Sequence, residues 1–256
     1  MTTLSIDGIG LLERPGLVLF DKDGTLIDIH HYWVGMIKLR ADLIIERYFS
    51  DQSTVDEVRY ALIDAMGVDV SSSRMKPDGP VGIKPRRFIV KVATQTIRNH
   101  GIEVEESDTE LLFAEVDRKT SNDISPLLKI LPGVTELLFA LHEKNIPAAV
   151  VSTDITSRAT AAIEVLGLAK YFKTIIGGDA VANIKPAPDL ALAATTYCNV
   201  QAQHAVVIGD HPVDILMGQN AGCGLNIGVL NGLSNRMQFA NLDCTLIPDL
   251  THITVS

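Results

Sequence analysis

At 256 residues the chain has room for one large domain, or for a core with a second, smaller one. Hydrophobic residues make up 46% of it, enough for a sizeable core and far from the disordered class. Its net charge of −9 argues against a nucleic-acid backbone or an anionic membrane as main partner, though not against a small anion held by local charge.

The three cysteines, Cys198, Cys223 and Cys244, are odd in number and lack CxxC spacing. Neither a disulfide framework nor a zinc site is expected, and a reducing compartment is the default. The first residues show no basic start followed by an apolar run, so no signal peptide is expected. No apolar stretch approaches the ~18 residues that span a bilayer. The expectation is a cytoplasmic protein with neither a membrane nor a nucleic-acid partner.

In chain order the first clear element is "GLVLFD", residues 16–21, an apolar run that reads as a buried parallel strand. It leads into Asp21, Asp23, Gly24 and Thr25. Residues two apart in an extended chain point to the same side, so Asp21 and Asp23 set two carboxylates together. Ionised, they repel, and burial adds to the cost, so a cation is expected beside them. A turn with a helix cap is the plainer reading of the pair.

Residues 28–129 carry helical periodicity at 31–49, 54–67, 86–101 and 109–120. Their stripes of Leu, Ile, Val and Phe read as core rather than as a cofactor box. His30 and His31, at the entry, read as a packed or solvated helix start, with a catalytic base as the sharper alternative. The loop "SSSRMKPDGPVGIKPRR" sets Arg74, Lys76, Lys84, Arg86 and Arg87 among prolines and glycines. It is either a solvated basic loop or a contact to an anionic group of a substrate.

From residue 130 the rhythm changes. Apolar runs at 146–152, 172–178, 204–210 and 224–230 alternate with helical patterns at 133–145, 156–167, 188–198 and 212–223. That alternation predicts an α/β fold built on a doubly wound parallel sheet. Asp21 and Ser152 are 131 positions apart, whereas a parallel crossover needs only about a dozen residues. The expected organisation is therefore a core from residues 1–27 and 130–256, with 28–129 a mostly helical domain inserted after the first strand and well placed to cover the carboxylate pair. Its stripes can face the core or a partner, which leaves a homo-oligomer open.

Ligands of open α/β sheets bind at the carboxyl ends of the strands. There the sequence puts Asp21 and Asp23, then Ser152, Thr153 and Asp154 with Arg158, then Lys185, then Asp210 and Asp214. Acids for a hard cation, a hydroxyl and an ammonium suit phosphoryl transfer, where positioning and charge neutralisation do most of the work. Asp21 is the candidate nucleophile and Asp23 the candidate general acid and base. Mg²⁺ would take Asp21, Asp210 and a backbone carbonyl. Gly24, with no side chain to obstruct a phosphate, joins Thr25, Ser152, Thr153 and Lys185 as the phosphate-binding set. Plainer readings stand beside each of these. Ser152, Thr153 and Asp154 are good N-caps, Asp210 could cap a helix that begins at Pro212, and Lys185 could be an exposed lysine.

Together "DKDGTL", the strand ending in Ser152, Lys185 in "KPAPD", and "GDHPVD" resemble the four ordered motifs of the haloacid-dehalogenase-like hydrolases. The resemblance covers roughly residues 15–27 and 130–230, and the insertion is similar to the helical cap of the phosphoglycolate-phosphatase and β-phosphoglucomutase branch. It implies a Rossmann-like core and a substrate-selecting cap. It also implies a Mg²⁺-dependent aspartyl nucleophile at Asp21, a general acid and base at Asp23, a metal contact from the Asp23 backbone carbonyl, and a supporting role for Asp214. Asp23 argues for phosphate rather than carbon–halogen chemistry, since the dehalogenase branch lacks it. Two positions depart from the pattern. "STD" stands where many relatives have Thr-Asn, which touches Thr153, and Lys22 replaces an apolar residue between the aspartates. Lys22 is expected to point away from them. Lys84, Arg86, Arg87 and Arg158 are the candidate specificity residues.

The expected activity is a Mg²⁺-dependent phosphatase acting on a small phosphorylated metabolite, such as a phosphosugar or phosphoglycolate. A phosphomutase shares the same chemistry. A phospho-accepting signalling receiver also uses Asp, Ser/Thr and Lys at strand ends, but it needs neither the paired aspartates nor a long insertion.

Overall fold

The computed structural model describes residues 3–13, 15–49, 53–76, 79–80 and 84–256. The chain divides into two units, Met1–Asp28 with Leu128–Ser256, and Ile29–Leu127. The first unit opens with an antiparallel hairpin of β1 (Thr3–Ile6) and β2 (Ile9–Glu13). Next comes β3 (Leu17–Phe20), the strand that leads to the paired aspartates. All four of its side chains are fully buried, each stabilising the fold by about 1.5–3 kcal/mol.

The second unit consists of helices α1 (Ile29–Tyr48), α2 (Val55–Ala65), α3 (Arg86–Asn99) and α4 (Glu106–Asn122), with a two-stranded ribbon of β4 (Val68–Asp69) and β5 (Arg74–Met75) between α2 and α3. The ribbon takes up part of the basic loop; the rest of that loop lies partly outside the described residues. Arg40, only 5% exposed, is held among aromatic rings, its guanidinium 4.5 Å from the Phe113 ring centre and 5.9 Å from that of Trp33. Its charge is met by Asp117, 3.2 Å from Nη2. Asp117 also takes Arg86 Nη1, and Arg86 Nε reaches Glu110 at 2.7 Å. His30 is buried and accepts from the Met75 amide at 3.1 Å, while the His31 ring meets the Pro126 carbonyl at 3.0 Å. His30 is thus packed into the start of α1, while His31 beside it is exposed.

The chain then returns to the sheet through α5 (Val134–Glu143), β6 (Ala148–Val151), α6 (Thr156–Val165), β7 (Phe172–Ile176), α7 (Asp189–Tyr197), β8 (Ala205–Gly209), α8 (Pro212–Ala221) and β9 (Leu225–Val229). It ends with β10 (Thr245–Ile247) and β11 (Ile253–Val255). The main sheet runs β10-β9-β8-β3-β6-β7 and is parallel throughout. Alternation along β3 sends Val18 and Phe20 to one face, packed on Leu137, Leu138 and Leu141 of α5. It sends Leu17 and Leu19 to the other, against Leu190, Ala191 and Ala194 of α7 and Met217 of α8. This is the doubly wound arrangement that the alternating pattern predicts.

Two features lie beyond the sequence reading. β10 adds a sixth strand to the sheet, and β11 pairs with β1 to make a separate three-stranded antiparallel sheet, β11-β1-β2. Among the described residues no helix is long and apolar enough to cross a membrane.

Candidate active site at the carboxyl ends of the strands

Parallel register sets the site. Phe20 pairs with Val150 of β6 on one side and Ile208 of β8 on the other, so Asp21, Ser152 and Asp210 leave the sheet at neighbouring points on one edge. The Asp21 amide still donates to the Ile208 carbonyl at 2.9 Å, and the Ser152 amide to the Ile176 carbonyl at 3.0 Å. Both residues are thus anchored by the ladder up to the position where their side chains act.

Lys185 arrives on the loop after β7 and joins two of these elements. Its Nζ donates to Asp21 Oδ1 at 2.6 Å and stands 2.7 Å from Asp214 Oδ1. The plainer reading of an exposed lysine fails, since its side chain is 1% exposed. Asp214 is fully committed. Its Oδ2 accepts from the His211 amide at 3.0 Å, closing the N-terminus of α8, whose N-cap is His211 rather than Asp210. Asp210 instead turns into the site, where its Oδ2 accepts from the Leu233 amide at 2.8 Å. Gly24, at φ +95°, and Gly232 crowd the same carboxylate, and a Cβ at Gly232 would stand 1.9 Å from Asp210 Oδ2. Gly24 is thus required by its approach to Asp210 and by its left-handed backbone. The sequence alone points only to phosphate access for this glycine.

The oxygens of Asp21, Asp210 and Asp214 lie within 4.8 Å of one another. Burial raises the pKa of Asp21, Lys185 pulls it back, and Asp214 pushes it up again. Burial, with Asp21 and Asp214 nearby, lifts Asp210 well above the ordinary carboxylate range. Burial would lower Lys185, but the two carboxylates beside it outweigh that and raise its pKa. When ionised, the three buried carboxylates outnumber the one ammonium beside them. A divalent cation fits this set. Asp214 has both oxygens engaged, whereas Asp210 keeps Oδ1 and Asp21 keeps an oxygen outside its ion pair.

Asp23 presents a different picture from the expected one. Lys22 does not point away: its Nζ donates to Asp23 Oδ1 at 2.7 Å and lies 3.5 Å from Asp154 Oδ2, with the lysine 1% exposed. The strand ends at Phe20 and Lys22 lies in the bend beyond it, where its four-carbon stem is long enough to reach Asp23. Asp154 Oδ1 in turn accepts from the Ile155 amide at 2.8 Å and meets Arg158 Nη1 at 3.3 Å. Arg158 is therefore paired next to the site.

Ser152 is buried, and its Oγ accepts from the Asp154 amide at 3.1 Å, which leaves the hydroxyl proton to donate elsewhere. None of Ser152, Thr153 and Asp154 caps α6, because that helix starts at Thr156, whose amide and hydroxyl both donate to Asp179 Oδ1 at 2.7 Å. The capping reading of these three residues is thereby corrected. Thr153 is exposed, and Thr25 Oγ1 is buried with no hydrogen-bond partner among the described residues. Lys84 and Arg87 are exposed in the helical unit, and Arg86 is engaged with Asp117 and Glu110. The contributions of Lys22, Asp154, Gly232 and the Leu233 amide went unread in the sequence. Only Lys22, as a charge placed where an apolar residue is usual, carried a signal.

Comparison with known proteins agrees with this geometry. Residues 15–222 match the haloacid dehalogenase-like hydrolase family. The chain is 29% identical over 208 residues to the pyrophosphatase PpaX of Halalkalibacterium halodurans, covering 80% of this chain and 79% of that protein. It is also 29% identical over 214 residues to the phosphoglycolate phosphatase of Shigella boydii, covering 82% and 81% respectively. Its fold matches a Thermotoga maritima protein named as a candidate β-phosphoglucomutase, with a TM-score of 0.68 at 23% identity over 92% of this chain and 95% of that one. The chain belongs to the haloacid dehalogenase-like hydrolases.

Proposed function

We propose that this hydrolase is a Mg²⁺-dependent phosphatase that cleaves small phosphate monoesters through an aspartyl-phosphate on Asp21. The observation that carries the reading is the Asp21 carboxylate itself, held by Lys185 at 2.6 Å and grouped with Asp210 at the end of the central strand. The phosphatase names of the two relatives, each matched over about four fifths of this chain, support it.

In this reading Asp21, Asp210 and the backbone carbonyl of Asp23 hold the cation, which when bound neutralises negative charge on the phosphoryl oxygens. A carboxylate oxygen of Asp21 attacks phosphorus, and the bond from phosphorus to the ester oxygen breaks. Asp23 gives its proton to the departing alkoxide, so the alcohol leaves neutral. Ser152 donates its hydroxyl proton to a phosphoryl oxygen, and Lys185 balances charge on Asp21 and on the transferring group. Asp23, now a carboxylate, takes a proton from water as that oxygen attacks phosphorus. The bond from phosphorus to Asp21 breaks, and phosphate and the free aspartate are restored.

The test is phosphate release from a panel of small phosphomonoesters that includes phosphoglycolate, sugar phosphates and, as an anhydride, pyrophosphate. It is run with Mg²⁺, with a chelator, and with Asp21→Asn protein. Turnover that needs the metal and vanishes in Asp21→Asn supports the reading. Folded, metal-loaded protein that releases phosphate from none of them sinks it.

A further inference from the structure

We propose that Lys22 is a positioning residue for Asp23: it clamps one carboxylate oxygen so that the other is presented to the leaving group. The inference rests on the reading of Asp23 as general acid and base. Lys22 is 1% exposed, its Nζ is 2.7 Å from Asp23 Oδ1, and Asp154 Oδ2, which makes no hydrogen bond among the described residues, stands 3.5 Å from the same ammonium. Asp154 is itself fixed at the entry to α6 by the Ile155 amide at 2.8 Å and by Arg158 at 3.3 Å. The sheet-to-helix junction after β6 thus sets a second negative charge beside the ammonium that Asp23 Oδ1 binds.

A buried ammonium is costly, and an apolar residue of the same size would pack here without that cost. What the lysine adds is geometric. An aspartate carboxylate rotates about its last bond and exchanges its two oxygens, so an unclamped Asp23 has no fixed donor atom. With Oδ1 bound to Lys22, Oδ2 alone is left to carry the proton between leaving group, aspartate and water. Lys22 touches neither phosphate nor alcohol in this scheme. It acts through Asp23.

The test uses leaving groups. An alkyl phosphate needs a proton delivered to its departing oxygen, whereas the nitrophenolate of p-nitrophenyl phosphate departs without one. We compare kcat/KM on both esters for wild type, Asp23→Asn, Lys22→Met and Lys22→Gln, with thermal unfolding to confirm folding. Lys22→Met should lower kcat/KM for the alkyl ester about 10–100-fold, part of the general-acid contribution, while p-nitrophenyl phosphate stays within about 3-fold. Lys22→Gln, which keeps a donor for Oδ1, should fall less than Lys22→Met. If Lys22→Met does not fold, Asp154→Asn, which removes the second charge beside the ammonium, should show the same selective loss more weakly. Equal loss on both esters, or none on either, overturns the proposal. If Asp23→Asn discriminates between the esters and the Lys22 variants do not, only the role of Lys22 falls. If Asp23→Asn itself fails to discriminate, the acid–base reading of Asp23 falls and takes the proposal with it.

Discussion

Gly24 and Asp210 meet across the site, and a Cβ at Gly24 would stand 2.2 Å from Asp210 Oδ2. The residue also sits at φ +95°, where an L side chain is strained. Gly24→Ala is expected to cost about 1–3 kcal/mol from the backbone alone and to push Asp210 out of place. In the proposed mechanism, displacement of this carboxylate by about an ångström lowers kcat about 100-fold. Denaturant midpoints and kcat measured together check this; a variant of wild-type activity would show that Asp210 has room to move.

Lys185 is the only ammonium between Asp21 and Asp214 among the described residues. Lys185→Met leaves two carboxylates facing each other without a counterion. A loss of about 3–5 kcal/mol in metal-free protein at neutral pH is expected, the usual effect of removing one partner of a buried pair. The deficit should shrink as the pH falls and the unpaired carboxylates take up protons. Urea unfolding of both proteins from neutral to acid pH reads it directly.

Asp210 is held well above its ordinary value of 3.8, first by burial and then by Asp21 and Asp214. The folded state therefore binds this proton more tightly than the unfolded chain does. Metal-free stability should accordingly decline as the pH rises from about 3.8 through the raised pKa. Asp210→Asn removes that decline, so the metal-free variant should melt higher than wild type at neutral pH. Mg²⁺ should raise the melting temperature of wild type and leave Asp210→Asn nearly unmoved. Calorimetry with and without Mg²⁺ checks both halves, and an equal Mg²⁺ response in the two proteins would remove Asp210 from the cation site.

Within the helical unit, Asp117 answers both Arg40 and Arg86. Burial would raise its pKa, but the two guanidinium groups outweigh burial and lower it. This contribution is present above the ordinary carboxylate value and is lost as the pH falls through the depressed one. Asp117→Asn is expected to destabilise the protein by about 1–3 kcal/mol at neutral pH, with Arg40 left buried and unmatched. The difference from wild type should close in acid, which chemical unfolding at two pH values would show.

The parts of the fold that were legible in the sequence are those encoded locally. The apolar runs that became β3, β6, β8 and β9 are short and largely buried on both faces, so each one announces itself, and the edge strand β7 keeps enough of the same apolar run to be read with them. The separate sheet was not legible, because β1 at Thr3–Ile6 finds its partner β11 at Ile253–Val255, nearly the whole chain away. The acids of the site could be read from their position after strands. Their partners could not, since the Leu233 amide and Gly232 come from an irregular loop with no motif of its own. Lys22 departs from the expectation for a different reason: the strand ends at Phe20, so alternation no longer governs the bend at residue 22, and a long flexible stem reaches Asp23 from there.

The most direct test of the central claim is to look for the phosphoryl group on the chain. Wild type is mixed with a radiolabelled phosphomonoester and Mg²⁺, quenched in acid within one turnover, and probed for label that hydroxylamine releases, as it does from acyl phosphates. We expect label on wild type and none on Asp21→Asn. Turnover of the ester without any hydroxylamine-sensitive label, or sustained turnover by Asp21→Asn, would contradict an aspartyl-phosphate on Asp21.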